Sequence, residues 1–381
     1  MLAIYNNLLS LIINDYDTPT LSKKEVLDIT NTIYKKIQNN ISICDFNIDT
    51  LKITNSVNDD IDDLLNNINK LDIKDEKEIE RIDGINVNDI EVFYEISNRG
   101  LNDVTNRLRE NILLNLQNIT KSSIYLLDET YSTKWKQLKE QWTLTLTKIG
   151  IDYKYDDIKV SSMGGRGNHT DYVVSYLKDG EIILKKNVEF KFNASSINKL
   201  PQILQVFEGS LKFPKSYAEY YYDNYLDMYL SIDDKLYDIE IPSKEDYMKY
   251  VKGTKYECHN LFKKMKDNEE TEKDNKFEIV DTSIKEYLKE YSTQCNLEIL
   301  KEYLNKSQID KTYVLWDTNT HQFNIDSCSY DPTLELQIVD TTHNSIIIEQ
   351  GRIIFKLLLR WKNHKGILLP AYQISYKKKD E

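Results

Sequence analysis

Along the first 150 residues apolar positions recur at helical spacing, and immediately afterwards they alternate at the spacing of strands. The segment TPTLSKKEVLDITNTIYKKIQNN opens on Ser and Thr and places Val26, Ile29 and Ile33 on one helix face. NSVNDDIDDLLNNINKLDIKDEKEIERIDG is acidic and amphipathic, in the manner of a solvated helix face or arm. Two firmer helical patterns follow. NDVTNRLRENILLNLQNI repeats Val104, Leu108, Ile112 and Leu116 at four-residue steps. STKWKQLKEQWTLTLTKIG carries Trp135, Leu138, Trp142 and Leu146, with Gly150 as the expected C-cap. The Trp pair reads as core packing rather than as a stacking platform.

The period then changes to two. DIKVSSM, TDYVVSYL and EIILKKNVEFKF predict three successive strands, the last two joined at a Lys-Asp-Gly turn. SSINKLPQILQVFEG predicts a following helix capped by Ser, with Pro201 either in its first turn or interrupting it. Helix, three strands and helix in that order predict an α/β core on a mixed sheet flanked by helices, with large helical elaborations. Beyond it lie the Tyr-dense YAEYYYDNYLDMYLSI, the charged KKMKDNEETEKDNKFE, a helix in SIKEYLKEYSTQCNLEILKEYLNK, and strands in KTYVLWD and SIIIEQGRIIFKLLLRWKN. The expected organisation is a helical N-terminal region over 1–90 and helices plus the α/β core over 91–260. A charged surface linker is expected over 261–282, and a C-terminal helix and strands packing on the core over 283–381.

Composition narrows the class. Of 381 residues 40% are hydrophobic, with 27 Tyr and 10 Phe, enough for a sizeable core. Scarce Gly (11) and Pro (6) exclude collagen-like and low-complexity chains. The net charge of -12 speaks against a general nucleic-acid coat protein, but not against an enzyme that meets DNA through one local basic surface. No apolar run reaches the roughly 18 to 20 residues of a membrane span. MLAIYNNLLSLIIND lacks the basic region and small-residue cleavage site of a signal peptide. Cys44, Cys258, Cys295 and Cys328 are scattered without CxxC spacing, which fits a reducing compartment and argues against structural zinc. An intracellular location is expected.

The stretch that carries chemistry is GGRGNHTDYVVSYLKDGEIILKKNVEFKFN. Glu189 and Lys191 lie two apart on one strand and share a face. A two-residue turn at Asp179-Gly180 would pair 178 with 181 and set Asp171 opposite Val188, on the other face. A three-residue turn, Lys178-Asp179-Gly180, would pair 177 with 181 and set Asp171 opposite Asn187, on the face of Glu189 and Lys191. Converging there, the three residues suit phosphodiester hydrolysis. Mg²⁺ is satisfied by one or two carboxylates plus waters and a substrate phosphate. It lowers the pKa of water and neutralises phosphate charge, while a lysine orients the water or stabilises developing charge. The same residues would equally serve as the polar face of an ordinary half-buried hairpin. The loop GGRGNHTD favours the site: it is Gly-rich in a glycine-poor chain and sets Arg166, Asn168 and His169 beside the acid. Near the end of the chain Arg360, Lys362, Asn363 and Lys365 form either a phosphate-facing basic patch or a charged turn after an edge strand.

An acid at the start of one strand and Glu-x-Lys in the next, within a helix-strand-strand-strand-helix order, resembles the PD-(D/E)xK nucleases of the restriction-endonuclease-like fold. Asp171 matches the first acid, Glu189 the second and Lys191 the lysine, while Thr170 stands in place of the family's proline. The resemblance covers about residues 130 to 210. LLLRWKNHKGILLPAYQIS is similar to the terminal strand region of some type II restriction enzymes and their viral relatives. What the resemblance implies is a restriction-endonuclease-like core with Asp171, Glu189 and Lys191 catalytic and Asp171 and Glu189 holding Mg²⁺. Arg166, Asn168, His169 and, on the helix after the motif, Gln202 are the implied DNA contacts. Many members add an acid from the preceding helix; Glu140 and Glu110 occupy such positions here and stay outside the core set. The expected activity is that of a Mg²⁺-dependent DNA endonuclease, sequence-specific in the manner of type II restriction enzymes. DNA is the expected partner, with a homodimer compatible and no membrane. A repair or recombination nuclease, or a catalytically silent DNA-binding protein of the same fold, are the alternatives; the intact motif speaks against silence.

Overall fold

The structure, a computed structural model, describes residues 81–96, 102–125, 127–163, 169–253 and 255–379. The chain divides into two compact units between Thr147 and Lys148. The helices expected over the first 80 residues lie outside the described residues.

In the first unit a short hairpin, β1 (Arg81–Ile82) and β2 (Ile85–Asn86), turns through Asp83 and Gly84, both at positive φ. Helices α1 (Asn102–Asn115), α2 (Lys121–Tyr125) and α3 (Glu129–Ile149) follow. The predicted stripe of α3 is the buried one, Trp135, Leu138, Trp142 and Leu146. The Trp135 indole also donates to the Val87 carbonyl at 2.9 Å, which satisfies its one polar atom inside the core. The stripe of α1 is rotated from the expected one. Ile112, Leu113 and Leu116 are buried while Val104 is 66% exposed, and Arg109 takes the intervening buried place. Its guanidinium donates to the Val92 carbonyl at 2.6 Å and to Asn106 Oδ1 at 2.8 Å. Burial pushes its pKa down to about 10.

The second unit is α/β and holds two five-stranded sheets. Its strands are β3 (Asp157–Ser162), β4 (Tyr172–Lys178), β5 (Glu181–Phe192), β6 (Leu204–Phe207) and β7 (Lys311–Asp317). They continue with β8 (Gln322–Asp326), β9 (Gln337–Thr342), β10 (Ser345–Gln350), β11 (Ile353–Asn363) and β12 (Leu368–Lys378). The first sheet has the order β3-β4-β5-β7-β8 and is mixed: β5 and β7 run parallel, every other pair antiparallel. A parallel neighbour needs a crossover, and here the crossover spans residues 193–310. It contains α4 (Tyr217–Asn224), α5 (Leu226–Ser231), α6 (Lys244–Tyr250), α7 (Asn260–Asp267), α8 (Lys273–Tyr291) and α9 (Leu297–Gln308), the last leading directly into β7. The second sheet, β6-β12-β11-β10-β9, is antiparallel throughout. Tyr217, Tyr221 and Tyr287 on the helices pack with Trp361 and Tyr372 of this sheet in one core. Tyr217 lies 2.8 Å from the Ser283 hydroxyl and accepts the Trp361 indole N–H at 3.2 Å, so this crowded aromatic centre keeps a polar anchor. Among the described residues no helix is long and apolar enough to cross a membrane.

Three expectations are corrected. The helix expected in SSINKLPQILQVFEG is a single 3₁₀ turn, Ile197–Lys199, followed by strand β6. Pro201 has no N–H to continue the turn, and Leu204 and Val206 alternate as a strand pairing with β12. The charged linker expected over 261–282 is instead helix, turn and helix. Leu261, Phe262 and Met265 are buried from α7, and Lys276 of α8 pairs with Asp233 at 2.8 Å with both side chains buried. Gly150 caps nothing through a left-handed conformation. A Cβ there would stand 2.3 Å from the Tyr176 ring, so glycine is present to let that ring close in.

Candidate active site

The β4–β5 hairpin turns on Asp179 and Gly180 at φ 52° and 83°, a two-residue turn that pairs Lys178 with Glu181. This is the turn expected to send Asp171 to the wrong face, and the three-residue alternative does not occur. The parity is restored inside the strands. Leu177 pairs with Ile182 but Tyr176 pairs with Leu184, so Ile183 is an extra residue, a β-bulge. From there the register runs regularly to Tyr172 opposite Val188. One residue further on, Asp171 donates its backbone N–H to the Val188 carbonyl at 3.1 Å. Its Oδ2 accepts the Phe190 N–H at 2.8 Å. Asp171 therefore brackets Glu189 from both of its chain neighbours. The apolar residues that alternate with the acid, Val188 and Phe190, are buried, which fixes the face on which Glu189 and Lys191 emerge.

Glu189 is engaged on both oxygens. Lys191 Nζ donates to Oε1 at 2.5 Å and Lys311 Nζ donates to Oε2 at 3.3 Å. Lys311 opens β7, where the parallel pairing sets it beside Asn187 and two residues before Glu189's own partner, Tyr313. Its ammonium also lies 5.5 Å from the Tyr313 ring centroid. The Lys311 side chain is only 3% exposed, against 32% for Lys191. Nothing in the sequence patterns singled Lys311 out; the one trace is a lysine at the head of an apolar strand, KTYVLWD, where polar residues are normally left in water.

Electrostatics mark the same spot. Burial, and then the negative charge of Glu189, push the Asp171 carboxyl up to about 6, against the pull of Lys191, the Phe190 N–H and Lys311. Burial lowers the Lys311 ammonium, with Glu189 opposing. His169, half-buried, is held below its ordinary value by burial and then by Lys311, while Glu189 pulls the other way. Two carboxylates, two ammonium groups and an imidazole thus act on one another across β4, β5 and β7, the inner strands of the mixed sheet.

Of the remaining residues singled out from the sequence, Arg166 and Asn168 lie outside the described residues. Gln202 is not on a helix beside the motif: its neighbours Pro201 and Ile203 are tied to Gln373 and Ile374 of the second sheet at 2.6 and 2.8 Å. Glu110 and Glu140 both belong to the first unit, and Glu140 lies exposed 4.0 Å from Lys136. Arg360 and Lys362 are exposed on β11, Arg360 donating to Gln373 at 3.1 Å. Lys365 lies over the Phe277 ring, 3.3 Å from its centroid.

The donor set suits a hard divalent cation. Asp171 and Glu189 offer carboxylate oxygens; burial first and Glu189 second raise the Asp171 carboxyl, and a cation would offset both. Among the described residues no group of three or more His, Cys, Asp or Glu gathers as a metal cage. A pair of carboxylates is nevertheless the complement that Mg²⁺ uses when water and phosphate supply the rest. Comparison of the chain with protein-family models, with curated proteins and with solved structures returns no match.

Proposed function

We propose that the second unit is the catalytic core of a Mg²⁺-dependent DNA endonuclease with a restriction-endonuclease-like fold. The observation that carries this reading is the bracketing of Glu189 by Asp171 across two adjacent strands, with Lys191 on the same face. The topology supports it: three antiparallel strands are followed, through the long crossover 193–310 that ends in α9, by a fourth strand parallel to the third. Asp171 and Glu189 would hold the metal, which supplies charge neutralisation on a scissile phosphate and activation of water. Lys191, the more exposed of the two lysines, can leave Glu189 and present its Nζ–H to charge developing on phosphate oxygen. The carboxyl of Asp171 must be ionised for this; in the metal-free chain burial and then Glu189 push it up to about 6, so metal binding should weaken as pH falls below about 6. Sequence specificity, DNA as partner and an intracellular location, in keeping with the free Cys258, Cys295 and Cys328, belong to the same reading.

A second reading, a DNA-binding protein of this fold without catalysis, is favoured by one observation: both Glu189 oxygens are taken by ammonium groups. Incubation of the purified chain with bacteriophage genomic DNA separates the two. Discrete or random shortening with Mg²⁺ and none with EDTA is expected; intact DNA under both conditions, with retained binding, favours the silent protein.

A further inference from the structure

Lys311 is held in place from several directions. It leads out of the crossover into β7, it is paired in register with Asn187, its ammonium faces Glu189 Oε2 at 3.3 Å, and the Tyr313 ring lies beside it. With a side chain 3% exposed it cannot swing into solvent, whereas Lys191, on the other oxygen of the same carboxylate, is a third exposed. A cation arriving at Asp171 and Glu189 can displace Lys191 but meets Lys311 as a fixed positive charge. Two-metal sites place their ions about 3.5 to 4 Å apart on shared carboxylates, so a second ion would have to share Asp171, whose Oδ2 already accepts the Phe190 N–H at 2.8 Å, or Glu189. Its Oε2 already has an ammonium at 3.3 Å.

We infer that Lys311 is a built-in cation that takes the place of a second divalent ion, so that Asp171 and Glu189 hold one metal ion per chain. Lys311 thus acts by its charge through Glu189, occupying one oxygen of the carboxylate and leaving the other to the metal. The inference rests on the metal-dependent reading above, and binding stoichiometry separates the two.

The full chain is titrated calorimetrically with Mn²⁺ in the absence of DNA. One ion per chain is expected, lost in Asp171→Asn. Two ions lost together in Asp171→Asn overturn the role of Lys311 and leave the metal reading standing. No binding, or binding that Asp171→Asn leaves unchanged, overturns both. Lys311→Met keeps the length of the side chain and removes the charge. It is expected to bind Mn²⁺ at least tenfold more tightly or to admit a second ion, while Lys311→Arg stays near the wild-type value. A merely structural lysine gives the opposite sign, because a loosened Glu189 binds metal more weakly; weaker binding in a Lys311→Met protein of unchanged circular dichroism overturns the inference. If Lys311→Met does not fold, the wild-type stoichiometry still decides.

Discussion

Replacing Asp171 with Asn is expected to remove a pH-dependent penalty from the metal-free protein. In the folded chain this carboxyl is pushed up to about 6, from an ordinary 3.8, chiefly by burial and then by Glu189. Between those values the folded state retains a proton that the unfolded state has released. The contribution to stability is therefore complete below the unfolded value, is lost as pH rises through about 6, and stays lost above it. The displacement corresponds to about 3 kcal/mol. Asn resembles the protonated acid, still accepts the Phe190 N–H, and does not ionise. In EDTA the variant should match wild type near pH 4 and exceed it by about 3 kcal/mol at pH 8, a separation of about 6 to 10 °C in melting temperature. The assay is calorimetric melting of both proteins at several pH values. Added Mg²⁺ should then raise wild type by about 2.7 kcal/mol at a hundredfold excess over its dissociation constant, and leave the variant where it was. Curves that run parallel from pH 4 to 8 would refute the burial and repulsion on which the site is argued.

Further outcomes follow from the same physics. Glu208, buried with its Oε2 accepting the Tyr217 N–H at 2.9 Å at the start of α4, is pushed up to about 7 by burial. Stability should fall as pH rises through about 7, and Glu208→Gln should flatten that fall in a urea titration series. Gly150→Ala forces a Cβ against the Tyr176 ring and should cost about 1 to 3 kcal/mol by denaturant unfolding. Lys276→Met alone strands the buried Asp233 carboxylate and should cost about 3 to 5 kcal/mol, whereas adding Asp233→Leu should recover most of the loss.

What could be read from the chain was local. Alternation in TDYVVSYL and EIILKKNVEFKF placed both hairpin strands, and the apolar spacing of α3 placed its Trp pair, because each pattern is decided by burial of one face. The approach of Asp171 to Glu189 was expected through a three-residue turn and arises through a bulge at Ile183, which no turn signal announces. Residues 204–207 are a strand because β12, more than 160 positions away, pairs with them; their own neighbours spell a helix as readily. Lys276 and Asp233 look like surface charges until tertiary packing buries them together. Lys311 reaches Glu189 only through a parallel pairing whose crossover spans residues 193–310, and sequence spacing carries no trace of it.

The most direct test of the central claim measures cleavage and binding side by side for wild type and Lys191→Ala on the same DNA with Mg²⁺. If Lys191 acts on the reacting phosphate, the variant should lose cleavage by a factor of about 10² or more while binding stays within a few-fold, since affinity comes from phosphate contacts elsewhere. Cleavage within a few-fold of wild type in Lys191→Ala would contradict the account and return Glu189 and Lys191 to the polar face of an ordinary hairpin.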